Sequence, residues 1–397
     1  MKLLQVNITA NWGSHGRIAE DIGQLAISHG WESYLAYGRT ANPCKSHLVR
    51  IGSMMDERWH GFQSRLFDNH GLASVSATRN FLRSVDEIKP DIVHLHNIHG
   101  YYLNYPLLFQ YLSRLDVPVV WTLHDCWSVT GHCAFFTYEG CEKWKSGCHH
   151  CECKYKYPQS LFFSRSEKNY IQKQQSFTSL RNLTIVPVSQ WLGDIVNDSF
   201  LSDYPVKVIH NGIDLNRFRV LPDNNRSSHV KVLLGVSSVW EKRKGLDDFV
   251  LLRQLLDDSY RIILIGLTPK QIASLPPGIE GISRTNNIDE LIYYYNLADV
   301  FVNPTYEDNF PTTNLEALAC GTPVVTYNTG GSPEAIDDNT GIVVEYGNVN
   351  AMAESIETLC SAPDKASLSR ACRERAEQLF NKDDRYKEYL DLYNSLV

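Results

Sequence analysis

Short apolar runs alternate with amphipathic segments along most of the chain. Residues 2–8 and 117–125 have the composition of buried strands, whereas the apolar residues of 17–30 and 105–116 recur every three to four positions, as they do in helices. The same reading places a strand at 206–214 and a short helix at 332–338. Strands that alternate with helices in this way form parallel sheets with helical crossovers. The pattern therefore predicts a doubly wound α/β architecture.

The alternation is interrupted once, by a polar segment at 215–229 that is typical of a linker, and then resumes. With 397 residues the chain is also too long for one ordinary core. We predict two Rossmann-like domains that face a central cleft, at 1–210 and 211–375, and a C-terminal helix at 376–397 that packs back on the first domain. Ligands of such sheets bind beyond the carboxyl ends of the strands.

Composition narrows the possible partners and compartments. The net charge of -7 leaves no broad basic surface, which argues against a nucleic-acid partner. No segment reaches the roughly 18 apolar residues of a membrane span, and the first residues do not resemble a signal peptide. The cytoplasm is therefore the expected compartment, and a surface patch could still bring the protein to the inner face of the membrane.

The stretch YEDNFPTTNLEALACGTPVV, at 306–325, carries the strongest chemical signal. Asp308 lies in a loop after a predicted strand, and Thr312 or Thr313 is placed to cap the helix that contains Glu316. Amides at a helix N-terminus favour a phosphate, and carboxylates accept hydrogen bonds from sugar hydroxyls. The alternative is an ordinary loop, an N-cap and a surface acid.

This stretch resembles the signature of retaining GT-B glycosyltransferases of family four, in which two acids flank seven residues ahead of Gly-Thr-Pro-Val-Val. Aligned on Phe310 and Glu316, the first acid is Asp308, and Glu307 is the register-shifted alternative. Pro311 stands where the family has a glycine and removes one N–H donor.

The resemblance implies a GT-B fold and a role for each of these residues. The first acid and the neighbouring amides of Thr312 and Thr313 would hold the donor sugar and its phosphates, and Glu316 would hold the ribose. Phe310 is included with them in the donor site.

Two further groups complete the donor side of the prediction. Lys244 follows the first strand of the second domain and corresponds to the phosphate lysine of the family, with Arg243 as the substitute for an arginine that is Val239 here. His124, at the end of a strand in the first domain, matches the histidine that touches the donor sugar. The predicted catalytic residues are therefore His124, Asp308 and Lys244, although a solvated charge run and a structural histidine would give the same local sequence.

The remaining site predictions concern the first domain. Gly13 and Gly16 lie in a loop that resembles the one approaching the donor phosphates or the acceptor, and glycine allows close backbone approach. His96, Asn97 and His99 follow another strand and are predicted to lie on the acceptor side.

Six cysteines fall in a predicted insertion at about 126–158. The C-x7-C-x6-C-x2-C spacing of Cys133, Cys141, Cys148 and Cys151 suits a structural zinc ion, with Cys153, His132, His149 and His150 as spare ligands. Free thiols are the alternative. No cofactor is expected for the transfer itself, because the chain has no D-x-D pair of the kind that holds a diphosphate through a metal ion.

Together with these features, the resemblance implies a retaining, metal-independent hexosyltransferase. Its donor would be a nucleotide-diphosphate sugar, and its acceptor a saccharide or lipid-linked saccharide of polysaccharide assembly, so peripheral membrane contact is expected. One alternative is another GT-B nucleotide-sugar enzyme, such as an epimerase. The other is a non-catalytic protein that binds nucleotide sugars or glycans.

Overall fold

The computed structural model describes residues 1–222 and 230–397, which form two compact units. The first unit comprises Met1–His210 together with Arg385–Val397, and the second comprises Asn211–Asp384. Of the predicted linker at 215–229, residues 223–229 lie outside the described residues.

The first unit is built on a six-stranded parallel sheet with the order β3-β2-β1-β4-β5-β6. Its strands are β1 Lys2–Asn7, β2 Glu32–Tyr37, β3 His47–Arg50, β4 Ile92–Leu95, β5 Val119–Leu123 and β6 Leu183–Pro187. Its helices are α1 Gly13–Ser28, α2 Met54–Phe67, α3 Val75–Ile88, α4 Tyr105–Leu112, α5 Ser166–Phe177 and α6 Gln190–Asn197. Sequence patterning had not identified β3, α2, α3 or α5.

The second unit repeats the design with the order β12-β11-β10-β7-β8-β9. Its strands are β7 Lys231–Val236, β8 Tyr260–Ile265, β9 Ile279–Ile282, β10 Val300–Asn303, β11 Val324–Tyr327 and β12 Gly341–Val344. Its helices are α7 Leu246–Leu255, α8 Pro269–Ala273, α9 Ile288–Leu297, α10 Thr312–Ala319, α11 Val349–Cys360 and α12 Lys365–Leu379. The prediction of two doubly wound α/β units is confirmed.

The last helix, α13 (Lys382–Leu396), returns to the first unit, as predicted. Tyr386, Tyr389 and Tyr393 are buried in the same apolar cluster as Leu3 of β1. The hydroxyl of Tyr393 lies 2.6 Å from Nδ1 of His94, so the helix is tied to the sheet by polar as well as apolar contacts. The predicted start at 376 falls inside α12.

Two local predictions were wrong. The segment 332–338 was predicted as a helix, but it forms only a 3-10 turn at Pro333–Ala335. The following residues turn at once into β12, because Asp337 and Thr340 bond each other. The segment 206–214 was predicted as a strand, but it contributes only two isolated bridges, between Val206 and Ile185 and between Ile213 and Asn381.

Candidate functional site

In each sheet the strand order reverses at one point, between β1 and β4 in the first unit and between β7 and β10 in the second. Loops that leave neighbouring strands in opposite directions open a crevice there, which is the usual ligand position in doubly wound sheets. The predicted site residues follow β1, β4 and β5 in the first unit and β7 and β10 in the second.

At the second reversal, the turn after β7 contacts the loop after β10. The ammonium of Lys244 forms an ion pair with Oδ2 of Asp308, and both side chains are about one-fifth exposed, at 19% and 21%. Arg243 donates from Nη1 to the carbonyl oxygen of Glu307 at 3.2 Å and accepts from the amide of Tyr306 at 2.7 Å. The structure therefore brings the predicted phosphate lysine and the predicted sugar acid together.

The backbone of Asp308 rests against the loop that follows β11. Gly331 donates from its amide to the carbonyl oxygen of Asp308 at 3.2 Å. Gly330 has a φ of +55°, and a Cβ at this position would lie 1.8 Å from that same oxygen. Only glycine fits this approach, which fixes where the Asp308 carboxylate is presented. Glu307, the register-shifted alternative, is 2% exposed and is thus the less accessible acid.

Helix α10 begins directly after this loop. Its N-cap is Pro311, so the prediction that Thr312 or Thr313 caps the helix was wrong: both threonines lie in its first turn, where their amides belong to the N-terminal group. Glu316, one turn further on, accepts from the hydroxyl of Tyr295 at 2.7 Å. Burial raises the pKa of Tyr295 well above its ordinary value, so this hydroxyl stays a donor.

Phe310 is placed differently from what a ligand contact requires. Its ring is 4% exposed and lies 5.9 Å from the ring of Phe380, centroid to centroid. Its carbonyl oxygen accepts from the side-chain amide of Asn211 at 3.4 Å. The residue therefore fastens the Asp308 loop to the core of the second unit.

In the first unit the predicted acceptor-side residues and His124 line one small recess. His96, Asn97 and His99 come from the segment after β4, and His124 and Asp125 from the end of β5. Gly13 begins α1 with a φ of +68°, and a Cβ on Gly16 would lie 2.6 Å from Oγ1 of Thr9. Packing against Thr9 therefore requires glycine at position 16 whether or not a ligand approaches this loop.

The contacts of His124 fix its tautomer through two further residues. Gln5 donates from Nε2 to the carbonyl oxygen of Ala19 at 2.6 Å, so its Oε1 accepts from Nε2 of His96 at 3.1 Å. Nδ1 of His96 must then accept from Nε2 of His124, at 3.2 Å. Burial lowers the pKa of both imidazoles well below the ordinary value, and a neutral His124 of this tautomer carries its lone pair on Nδ1.

A second histidine of the recess is held by a carboxylate. Nε2 of His99 lies 2.8 Å from Oδ2 of Asp125, and Nδ1 lies 3.0 Å from the hydroxyl of Tyr157. Burial opposes ionisation of Asp125, but the charge and hydrogen bond of His99 and the amide of Trp127 outweigh it and lower the pKa of Asp125. The recess thus holds an ionised carboxylate beside the imidazoles of His96, His99 and His124.

Sequence reasoning missed Gln5, His15, Asp125 and Tyr157. His15 lies between the two predicted glycines, with Nδ1 3.2 Å from Oδ1 of Asn7 and its ring 5.9 Å from that of His124. The available signal was the pair of polar residues, Gln5 and Asn7, inside the buried strand β1, where a polar side chain requires a partner.

The cysteine-rich segment is compact but irregular. The thiols of Cys133, Cys151 and Cys153 hydrogen-bond one another, and these bonds lower the pKa of Cys151 while raising that of Cys133. Cys148 accepts from the amide of Gly131 at 3.2 Å. Cys153, which the spacing treated as spare, therefore belongs to the contacting group.

Across residues 1–222 and 230–397, no group of three or more His, Cys, Asp or Glu side chains is arranged so that it could hold a metal ion. The zinc site therefore stays a prediction.

Comparison with known families identifies both halves of the chain. The model of Glycosyltransferase Family 4 matches residues 16–217, and that of Glycosyl transferases group 1 matches residues 230–362. A putative colanic acid biosynthesis glycosyl transferase, WcaC of Escherichia coli K12, is 26% identical over the full length of both chains. The capsular polysaccharide biosynthesis glycosyltransferase CapM of Staphylococcus aureus is 26% identical over 47% of this chain and 53% of its own.

Solved structures agree on the fold. Sucrose-phosphate synthase of Thermosynechococcus elongatus superimposes with a TM-score of 0.75 at 17% identity, covering 100% of this chain and 98% of its own. Anabaena HepE in complex with UDP gives a TM-score of 0.71 at 14% identity over the full length of both chains. The fold is therefore GT-B, and, with half of its length matched by the family model, the chain belongs to Glycosyltransferase Family 4.

Proposed function

We propose that this glycosyltransferase retains anomeric configuration and moves a sugar from a nucleoside-diphosphate donor to a saccharide acceptor during polysaccharide assembly. Lipid-linked saccharides are the acceptors we expect. The names of WcaC and CapM support the polysaccharide context, and the HepE structures with UDP and with UDP-glucose support the class of donor.

The contact between Lys244 and Asp308 beside the N-terminus of α10 carries the proposal. A diphosphate needs positive charge and N–H donors, which Lys244, Arg243 and the first-turn amides supply. Sugar hydroxyls need acceptors, which Asp308 and Glu316 supply. Both kinds of group therefore meet at the strand-order reversal, where the turn after β7 contacts the loop after β10 and the start of α10.

The reaction requires stabilisation of the departing diphosphate more than a strong base. We assign that role to Lys244 and Arg243, because fixed positive charge acts where negative charge develops. Lys244 forms an ion pair with Asp308, which neutralises its charge. A diphosphate would take over the ammonium, and the carboxylate would turn to the hydroxyls of the donor sugar.

We assign the recess of the first unit to the orientation of the donor sugar and the acceptor. We assign His124 to a hydroxyl of the donor sugar, which the lone pair on Nδ1 can accept, while His99 and Asp125 position the acceptor. Gln5 and His96 are positioning residues that act through the His124 tautomer. Correct placement of the two reactants accounts for a large part of the reduction in the barrier to transfer.

A panel of nucleotide sugars tests the proposal. Thermal shift identifies the donor, because a ligand in excess over its Kd raises the melting temperature. Incubation of that donor with saccharide acceptors should yield a glycoside with the donor's anomeric configuration by NMR, and Glu316→Ala should abolish transfer. An inverted product would refute retention, free sugar formed without acceptor would indicate an epimerase-like enzyme, and glycan binding that survives Glu316→Ala without turnover would indicate a binding protein.

A further inference from the structure

The exposed aromatic side chains of the protein are concentrated in one surface of the first unit. This surface, which we call the aromatic face, consists of the exposed residues of α2 and of 155–163. Ten of the 25 exposed large apolar side chains of the described residues lie there. They are Met54, Met55, Trp59, Phe62, Phe67, Tyr155, Tyr157, Leu161, Phe162 and Phe163. The most exposed of them are Met55 at 80% and Phe162 at 65%.

The two segments form one surface and not two separate patches. The amide of Leu161 donates to the carbonyl oxygen of Arg65, in the last turn of α2, at 2.8 Å. The ring of Phe163 stacks on that of Phe67 with centroids 6.3 Å apart. Trp59 and Phe62 stack on each other at 5.5 Å. Backbone bonding and ring contacts thus hold the exposed aromatic groups in a fixed arrangement.

Helix α2 has its amphipathic character reversed. Its buried residues are His60, Gly61 and Ser64, which are polar or small. Met55, Trp59 and Phe62 recur on the opposite side at helical spacing and are exposed. An ordinary surface helix turns its aromatic residues toward the core, so packing within the unit does not explain these residues. Large exposed apolar patches mark interaction surfaces.

The charge of the aromatic face selects its partner. The two segments of the aromatic face contain three basic residues, Arg58, Arg65 and Lys156, and two acids, and Lys154 and Arg165 border the second segment, although the whole chain has a net charge of -7. Both acids are held within the unit: Asp56 bonds the N-cap of α2, and Glu57 pairs with Arg39 at 2.5 Å. Lys156 pairs with Glu139, whereas Arg58 is exposed.

We propose that the aromatic face docks on a lipid bilayer that contains anionic headgroups. Trp, Tyr and Phe favour the boundary between headgroups and acyl chains, and neighbouring Lys and Arg are attracted to anionic lipids. None of the helices among the described residues combines the length and apolar character needed to span a bilayer, so the contact is peripheral.

The aromatic face adjoins the recess that holds His99. Tyr157 is 41% exposed, and its hydroxyl lies 3.0 Å from Nδ1 of His99. A docked protein would therefore hold the recess close to the lipid surface, where the saccharide of a lipid-linked acceptor is found. Docking itself is argued from the exposed side chains alone, but this link to the acceptor rests on the proposed function.

Vesicle flotation tests the proposal on the full chain. We expect the protein to float with vesicles of phosphatidylcholine and phosphatidylglycerol, and less with phosphatidylcholine alone. Trp59→Ser combined with Phe62→Ser should reduce the bound fraction at least about tenfold, since each buried aromatic ring contributes about that factor. Arg58→Glu should reduce only the preference for anionic vesicles. Leu251→Ser combined with Leu255→Ser, which alters exposed residues of α7 in the second unit, is the matched control and should bind as the wild type does.

Three results would overturn the proposal. The first is that the wild type does not float with vesicles, and the second is that the Trp59→Ser, Phe62→Ser variant floats as well as the wild type. The third is that light scattering finds a wild-type dimer which this variant does not form, because the aromatic face would then be a protein interface. Circular dichroism confirms that each variant is folded. Thermal shift with nucleoside diphosphates is measured on the same samples. If nucleoside diphosphates do not raise the melting temperature of the wild type, the proposed donor site is contradicted. If they raise it but the wild type does not float with vesicles, only docking is contradicted.

Discussion

Acidification from pH 7 to pH 5 should destabilise the first unit selectively. Thirteen of the 14 histidines precede residue 211, and the fourteenth, His229, lies outside the described residues. The described part of the second unit therefore has no histidine and serves as an internal control.

His60 shows the size of the effect. It is fully buried, with its Nε2 accepting from the amide of Gly71 at 3.0 Å and its Nδ1 2.8 Å from the hydroxyl of Ser74. Burial lowers its pKa to about 4, whereas an unfolded chain has about 6.5. Because the folded state prefers the neutral ring, its contribution is fully present above pH 6.5 and is lost as the pH falls from 6.5 toward 4. The loss between pH 7 and pH 5 is about 2 kcal/mol.

Three other buried histidines act in the same direction. Burial lowers the pKa of His70, His94 and His96 well below the ordinary value. A loss of several kcal/mol is a large part of the stability of a typical domain. The first unit should therefore unfold at a markedly lower urea concentration at pH 5 than at pH 7.

Hydrogen exchange with mass spectrometry in urea resolves the two units. At pH 5, after correction for intrinsic exchange rates, peptides of the first unit should lose protection well before peptides of the second. His60→Gln retains an acceptor for Gly71 but cannot titrate in this range, and it should reduce the pH-dependent loss by about 2 kcal/mol. Equal acid sensitivity of the two units, or an unchanged loss in His60→Gln, would refute the reasoning.

Three further perturbations address the site and the cysteine segment. Lys244→Met should weaken nucleoside-diphosphate binding about 10- to 100-fold in calorimetry, since it removes a charge-assisted bond, whereas Lys242→Met, at the exposed neighbouring position, should change binding little; equal losses would show that the cluster acts only as a diffuse charge. Gln5→Leu removes the acceptor that fixes the His96 and His124 tautomers, so kcat should fall about tenfold with the donor KM unchanged, and a rise in KM alone would contradict the relay. If the cysteine motif binds zinc, elemental analysis of purified protein should find it and a chelator should lower the melting temperature; metal-free protein with the same melting temperature would show that the segment is ordered by its thiols alone.

The sequence predicted the architecture well because apolar periodicity directly encodes alternating strands and helices. It failed where local polar bonding decided the outcome. The bonds between Asp337 and Thr340 end a predicted helix after one 3-10 turn. Helix α2 escaped notice because its aromatic residues face outward, so its pattern does not indicate a core-facing helix.

The site residues likewise fall into those that local sequence predicts and those that depend on contacts between distant segments. Lys244 and Asp308 could be predicted because each lies in a motif next to a strand end. The link between Gln5 and His96 spans 91 positions and arises from the pairing of β1 with β4, which no local pattern records. The cysteine segment has no regular periodicity, so spacing alone did not show that Cys153 contacts Cys133 and Cys151.

The assignment of Glu316 to the ribose of a nucleotide donor is tested most directly by a four-way binding comparison. Calorimetry would measure the best-binding nucleoside diphosphate and its 2′-deoxy counterpart against the wild type and against Glu316→Gln, which can still accept from Tyr295. We predict that the wild type prefers the ribonucleotide by about tenfold or more, as a charge-assisted bond would give, and that Glu316→Gln loses most of this preference. The same preference in both proteins would contradict the account.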